Sequence, residues 1–297
     1  MDVLDVIDAL DVLDVPDESQ RVAGERAHDT DALARRMRAH ALRMVHAAKA
    51  SHIGSALSIM DILAVLYGRV MNLRPAEPGW EGRDRFLLSK GHACVAVYAA
   101  LAERGFIGID ALATYGGDGS ALMNHISHKV PGVEFSTGSL GHGLPFGTGK
   151  ALAAQRRGAA WRTFVVLGDG ELAEGSNWEA MMFAAHHKLD RLVAIVDYNK
   201  LQSLTTVEKT LRIEPLVDKL RAFGWAVWEV DGHDHVALAQ ALGGAPWQQG
   251  QPSVLVCHTT KGRGVSFMEG SVDWHYRSPN DEQLAQALAE IESSFHA

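Results

Sequence analysis

The sequence predicts an α/β fold in which helices cover both faces of a parallel sheet, and three observations carry that prediction. Thr163–Leu167 and Leu192–Val196 are short apolar runs, as strands buried on both faces should be. Between them Trp178, Met181, Met182 and Ala185 recur at helical spacing, so the stretch reads strand, helix, strand. Each strand runs out into a turn, Gly168-Asp169-Gly170 after the first and Asp197-Tyr198-Asn199 after the second. A right-handed crossover sets such strands side by side, and ligands of open α/β sheets bind beyond their carboxyl ends. Gly-Asp-Gly alone reads as an ordinary turn. Paired with Asn199, thirty positions on, it offers a carboxylate, an amide oxygen and a nearby backbone carbonyl. That set suits a hard cation such as Mg²⁺, whose shell is completed by water and phosphate oxygens.

In chain order, residues 1–20 carry an Asp at every third position, seven acids in all and no Lys or Arg. A three-residue period drifts around a helix and gives neither a clean face nor a strand alternation. Asp side chains also compete with the backbone's own hydrogen bonds. The expectation is a disordered or loosely helical acidic extension over 1–30, ahead of one domain over 31–297. A docking segment for a partner subunit is the alternative. Asp31–Ala50 reads as a helix, with Asp31 at its positive end and Arg35, Arg36, Arg38 and Arg43 on its outer faces. Ser51-His52-Ile53-Gly54-Ser55 leads to a second helix from about Ser58 to Val70.

After a Pro- and Gly-rich loop, Arg85–Leu88 reads as a strand delivering Ser89-Lys90-Gly91-His92-Ala93 into a helix through Leu101. Backbone N–H groups and a cation at a helix start make a ready anion site. Residues 105–135 read as a long Gly-rich loop; its His125 and His128 lack a Cys or carboxylate at zinc-like spacing. Thr137–Leu144 is rich in glycine and opens a helix to about Arg157, suited to backbone contact with a diphosphate. Beyond the central unit, Leu211–Phe223 reads as a helix and Trp225–Val230 as a strand ending in Asp231-Gly232-His233-Asp234. A helix over Val236–Leu242, a strand over Ser253–His258 and a Lys261-Gly262-Arg263-Gly264 turn follow. The closing helix, Asp281–His296, has Leu284, Leu288 and Ile291 as its apolar stripe.

At 297 residues with 47% hydrophobic and 22% charged content, the chain reads as a soluble globular protein with a sizeable core. No apolar run is long enough to span a bilayer and no signal peptide is evident. Cys94 and Cys257 lie in apolar contexts and read as buried thiols, so a cytoplasmic location is expected. The net charge of −8 falls to near −1 outside the first twenty residues, which leaves no basic footprint for nucleic acid.

Taken together, GDGELAEGSNWEA, DYNKLQS, SKGHA and the Thr137–Leu144 segment resemble the transketolase family. Lys261 also precedes Trp274-His275 by that family's interval, and His125 stands twelve residues before Thr137, where the family has a histidine. The resemblance implies a thiamine-diphosphate-binding fold and transfer of a two-carbon ketol unit from a ketose to an aldose, free or phosphorylated. It implies that Asp169, Asn199 and the Leu201 carbonyl ligate Mg²⁺, for which Ca²⁺ or Mn²⁺ can substitute, and that the metal grips the diphosphate. Cofactor contacts are implied for Ser55, Lys90, His92, Gly138, Ser139, Leu140, Gly168, Gly170, Glu171, Asn199, Lys261 and His275. Proton handling is implied for His52, His92, His125, His275 and Lys261, and Glu174 takes the position of a carboxylate between cofactor sites. His142 stands where the family usually has Gln.

In that family the glutamate that activates the cofactor comes from a second, pyrimidine-binding domain. The resemblance covers roughly residues 28–295, so the chain is expected to be the N-terminal subunit of a split transketolase. It would need a C-terminal partner, in an α₂β₂ tetramer. Other readings are a deoxyxylulose-phosphate-synthase-like subunit, the α subunit of a 2-oxoacid dehydrogenase E1 component, and a non-catalytic regulatory partner.

Overall fold

A computed structural model describes residues 29–293. Nearly all of the predicted acidic extension, and the tip of the predicted closing helix, lie outside the described residues. Five strands are β1 (Arg85–Leu88), β2 (Thr163–Gly168), β3 (Leu192–Tyr198), β4 (Ala226–Asp231) and β5 (Ser253–His258). The helices are α1 (Thr30–Ala48), α2 (Ile53–Leu57), α3 (Met60–Val65), α4 (Cys94–Glu103) and α5 (Gly143–Arg157). They continue with α6 (Gly175–His186), α7 (Val207–Thr210), α8 (Leu216–Ala222), α9 (His235–Gly243) and α10 (Asp281–Ser293). The sheet is wholly parallel in the order β1-β2-β3-β5-β4, so the end of β3 is flanked by the ends of β2 and β5.

The central strands β2, β3 and β5 are largely apolar because each feeds two cores. Phe164, Val166, Val193, Ile195 and Leu255 pack with α1, α3, α4, α9 and α10. Their alternates Val165, Leu167, Ala194, Val196 and Val254 pack with α5, α6 and α8. Successive strand residues point to opposite faces, so helices on both faces require an unbroken apolar strand. The predicted fold class is the one observed.

Element ends differ from the sequence reading for local reasons. The helix expected over Leu211–Phe223 begins only at Leu216, with a separate turn of helix at Val207–Thr210. Pro215 lacks an N–H and drives its predecessor out of helical geometry, so it can open a helix but not sit inside one. The helix expected from Ser58 starts five residues earlier and is interrupted there. The Ser58 hydroxyl donates to Ser55 O at 3.0 Å and to Asp197 Oδ2 at 2.7 Å. Such back-bonding bends a helix. The loop 105–135 contains a 3₁₀ turn, Ile109–Thr114, and His92 lies on another, Gly91–Ala93, that enters α4. On α1, capped by Asp29, Arg38 is not on an outer face: it is buried against Asp61.

Candidate active site

The ends of β1, β3 and β5 are tied together by one carboxylate that the sequence reading did not single out. Asp197, near the end of β3, is fully buried. It accepts from Lys90 Nζ at 2.5 Å, Ser58 Oγ at 2.7 Å, Asn199 Nδ2 at 2.9 Å, and the Thr259 hydroxyl. Burial alone would raise its pKa, but the Lys90 charge and these hydrogen bonds hold it below the ordinary carboxylate value. Lys90 in turn donates to Ser55 O at 3.0 Å and is itself buried. The cation expected to wait for an anion is therefore already compensated by Asp197, a pairing that buried charges require. The available signal was an acid directly after the Leu192–Val196 apolar run, two residues before Asn199.

Glu171, expected to touch a cofactor, is occupied in the same way. Its carboxylate accepts from Gly141 N at 2.8 Å, Gly168 N at 3.2 Å and the Ser89 hydroxyl, which itself accepts from Gly143 N at 3.1 Å. It borders the cavity but its hydrogen bonds go to three loops of the protein, a role that fixes their spacing. Gly91 is required by close approach: a Cβ there would lie 2.3 Å from Thr137 O. Gly141, at φ +81°, turns the chain in a region that side chains avoid.

Asp169, Asn199 and Leu201 converge because the loop after β3 is pinned to the turn after β2. Lys200, in the left-handed region at φ +65°, donates its N–H to Asp169 Oδ2 at 2.5 Å, and Gly170 N donates to Oδ1 at 2.7 Å. Burial, then repulsion from Asp197, raises Asp169 to a pKa of about 7. Each Asp169 oxygen keeps a free lone pair, as does Asn199 Oδ1, which accepts from Leu201 N at 3.0 Å. A buried, proton-hungry carboxylate beside an amide oxygen and a backbone carbonyl fits a hard divalent cation. Among the described residues no group of three or more His, Cys, Asp or Glu has metal-holding geometry.

The same cavity, about 290 Å³, gathers the histidines. His52 lies with its ring centroid 5.1 Å from His92, 5.8 Å from His125 and 4.9 Å from His275. His52 adopts φ +73° and its N–H donates to His275 O at 2.8 Å, which locks the two together across 223 residues. Burial and the neighbouring His125, Lys261 and Lys90 lower His52 to about 4. Burial and Lys261 lower His275 to about 3, and burial with Lys90 holds His92 well below its ordinary value. Lys261, buried and near Lys90, falls to about 8; its Nζ donates to Gln202 O at 2.9 Å and to His275 Nδ1 at 3.3 Å. That donation leaves the His275 proton on Nε2.

Ser55, Gly138, Leu140, Gly168 and Gly170 complete the expected lining. Ser139 and Glu174 do not line it: both are exposed, and Glu174 opens α6 beside Gly141. His128 is outside too, bonded to Ser136 Oγ at 2.7 Å, and the His142 ring turns back on Leu140 O at 3.0 Å. Gln202, Ser203 and Tyr276 line the cavity and were not anticipated. Their only signal was adjacency, directly after Leu201 and His275.

Known proteins resemble this chain in sequence and in fold. Residues 29–292 match the family model described as transketolase, thiamine diphosphate binding domain. The chain is 42% identical over 250 residues to an apulose-4-phosphate transketolase subunit from Phocaeicola vulgatus, covering 84% of this chain and 89% of that one. It is 43% identical over 242 residues to 6-deoxy-6-sulfo-D-fructose transketolase subunit SqwG of a Clostridium species, covering 81% and 88%. Among solved structures, transketolase from Leishmania mexicana superposes with a TM-score of 0.83 at 33% identity, covering 89% of this chain but 41% of that one. With its parallel sheet and its strand-end cavity, this chain belongs to the transketolase family, as a thiamine diphosphate binding domain.

Proposed function

We propose that the chain is the N-terminal, diphosphate-binding subunit of a split transketolase, transferring a two-carbon ketol unit between sugars or sugar phosphates. The observation that carries this reading is that one cavity holds both a hard-cation donor set and a cluster of four imidazoles. When bound, thiamine diphosphate supplies the carbanion chemistry that side chains lack. Asp169, Asn199 and the Leu201 carbonyl would hold Mg²⁺, whose charge would suit a diphosphate. His52, His92 and His275 stay uncharged at neutral pH and so can both donate to and accept from sugar hydroxyls. Lys261 is mostly protonated there and fixes the His275 tautomer.

The completing half is a C-terminal subunit carrying the pyrimidine domain, in an α₂β₂ assembly with Glu174 near the junction between cofactor sites. Relatives named as transketolase subunits, matched over most of their own length, support this reading. The donor and acceptor are sugars or sugar phosphates, and buried free thiols at Cys94 and Cys257 suit a reducing cytoplasm. No helix among the described residues is long and apolar enough to cross a membrane.

The test is an assay of this chain mixed with its partner, on xylulose 5-phosphate and ribose 5-phosphate, with Mg²⁺ and cofactor. Transfer is expected only in the mixture, and Asp169→Ala or Asn199→Ala is expected to abolish both transfer and metal-dependent cofactor binding. Undiminished binding in both variants would refute the metal assignment.

A further inference from the structure

Behind the loop that carries Lys261 lies a second buried polar cluster that the proposed chemistry does not use. Its centre is Asp61 of α3, 5% exposed. Arg38 of α1 reaches Asp61 Oδ2 at 2.6 Å, His233 Nδ1 reaches the same oxygen at 2.7 Å, and His235 Nε2 reaches Oδ1 at 3.1 Å. Two of these three partners continue into the loop after β5. His233 Nε2 accepts the N–H of Thr260 at 2.9 Å, and Arg38 Nε donates to Arg263 O at 3.2 Å. Thr260 immediately precedes Lys261 and Arg263 follows it by two residues. The third partner does not continue: His235 Nδ1 meets Thr30 Oγ1 at 2.8 Å.

We propose that Asp61, acting through His233 and Arg38, positions Lys261 in the cofactor cavity, which makes these three residues positioning residues of the active site. The hydrogen bonds define the arrangement. Because His233 Nε2 accepts an amide proton, the ring is neutral with its own proton on Nδ1, and Asp61 is the acceptor that holds that tautomer. Arg38 fills the space beneath Gly264, whose φ is +92° and where a Cβ would stand 3.2 Å from Arg38 Cδ. The loop is thus gripped on both sides of Lys261, by an acceptor before it and a donor after it. The Lys261 ammonium then reaches Gln202 O and His275 Nδ1. A lysine carries four rotatable bonds on a loop, and fixing both neighbours is what limits its reach.

The role assigned to Lys261 rests on the cofactor reading, so the test uses two readouts. One is the affinity of the subunit mixture for thiamine diphosphate with Mg²⁺. The other is the rate at which acetic anhydride acylates Lys261 relative to surface lysines, followed by mass spectrometry. In His233→Phe, affinity should weaken about five- to tenfold, the scale of one lost hydrogen bond, and Lys261 should acylate several-fold faster. His233→Gln, which restores an acceptor, should recover most of both. His235→Phe should lower the melting temperature while leaving both readouts near wild type. Should His233→Phe not fold, Arg38→Lys, which keeps the charge beside Asp61 but loses the bond to Arg263, carries the same comparison. A folded variant with wild-type affinity and labelling would overturn the inference, as would His235→Phe changing both as much as His233→Phe. If wild type binds no cofactor with its partner, the cofactor reading fails, while the labelling readout still decides whether Asp61 positions Lys261.

Discussion

His52, His92 and His275 share a small cavity with Lys90 and Lys261, and burial together with crowding by cations keeps their rings neutral. Imidazole titration followed by NMR should show His52 neutral down to a pH of about 4 and His275 to about 3. Midpoints near the ordinary value of about 6.5 would contradict the cluster. The linkage sign follows: the unfolded chain takes up protons below about 6.5 while these folded rings do not. Their penalty on stability is therefore absent above that pH and grows as pH falls toward 4. Lys261 differs from a surface lysine in losing its proton at about 8, so its acylation should have a midpoint there. The residues that carry this chemistry were legible because each sits in a short motif at a strand or helix end. Asp197, Gln202 and Tyr276 were not. Asp197 matters through Lys90, 107 positions away, and no local pattern reports such a partner.

The strands and the turns after them form the next scale, and here the Asp197–Lys90 pair is the joint. Asp197→Asn leaves a buried ammonium uncompensated, which should cost about 3–5 kcal/mol in urea denaturation. A loss under about 1 kcal/mol, the range of exposed pairs, would show the joint to be solvated. Gly91→Ala drives a methyl into Thr137 O and should cost about 1–3 kcal/mol by overpacking, measured by the same denaturation. The central strands were legible from their apolar runs, since a strand between two helical layers has no polar face. Helix ends were less so. Pro215 and Ser58 each redirect a helix that hydrophobic spacing alone would run through, and Arg38 looked solvent-facing until α3 supplied Asp61.

At the scale of the whole molecule, a five-stranded parallel sheet presents its metal-suited turn and its imidazoles to one cavity. Among the described residues, neither cavity-lining carboxylate is left to activate a pyrimidine on the proposed reading: Asp169 is assigned to the metal, and Glu171 is bonded to three loops. On the proposed function the site is shared, with the diphosphate end here and the activating end on a partner. The sequence pointed to a partner only by resemblance, since a second subunit leaves no periodicity in this chain to read. Calorimetric titration of thiamine diphosphate with Mg²⁺ into this chain, into its C-terminal partner, and into their mixture tests it most directly. One cofactor should bind per copy of this chain in the mixture only, and Asp169→Ala should remove it. Equal binding by this chain alone, or none in the mixture, would contradict the account.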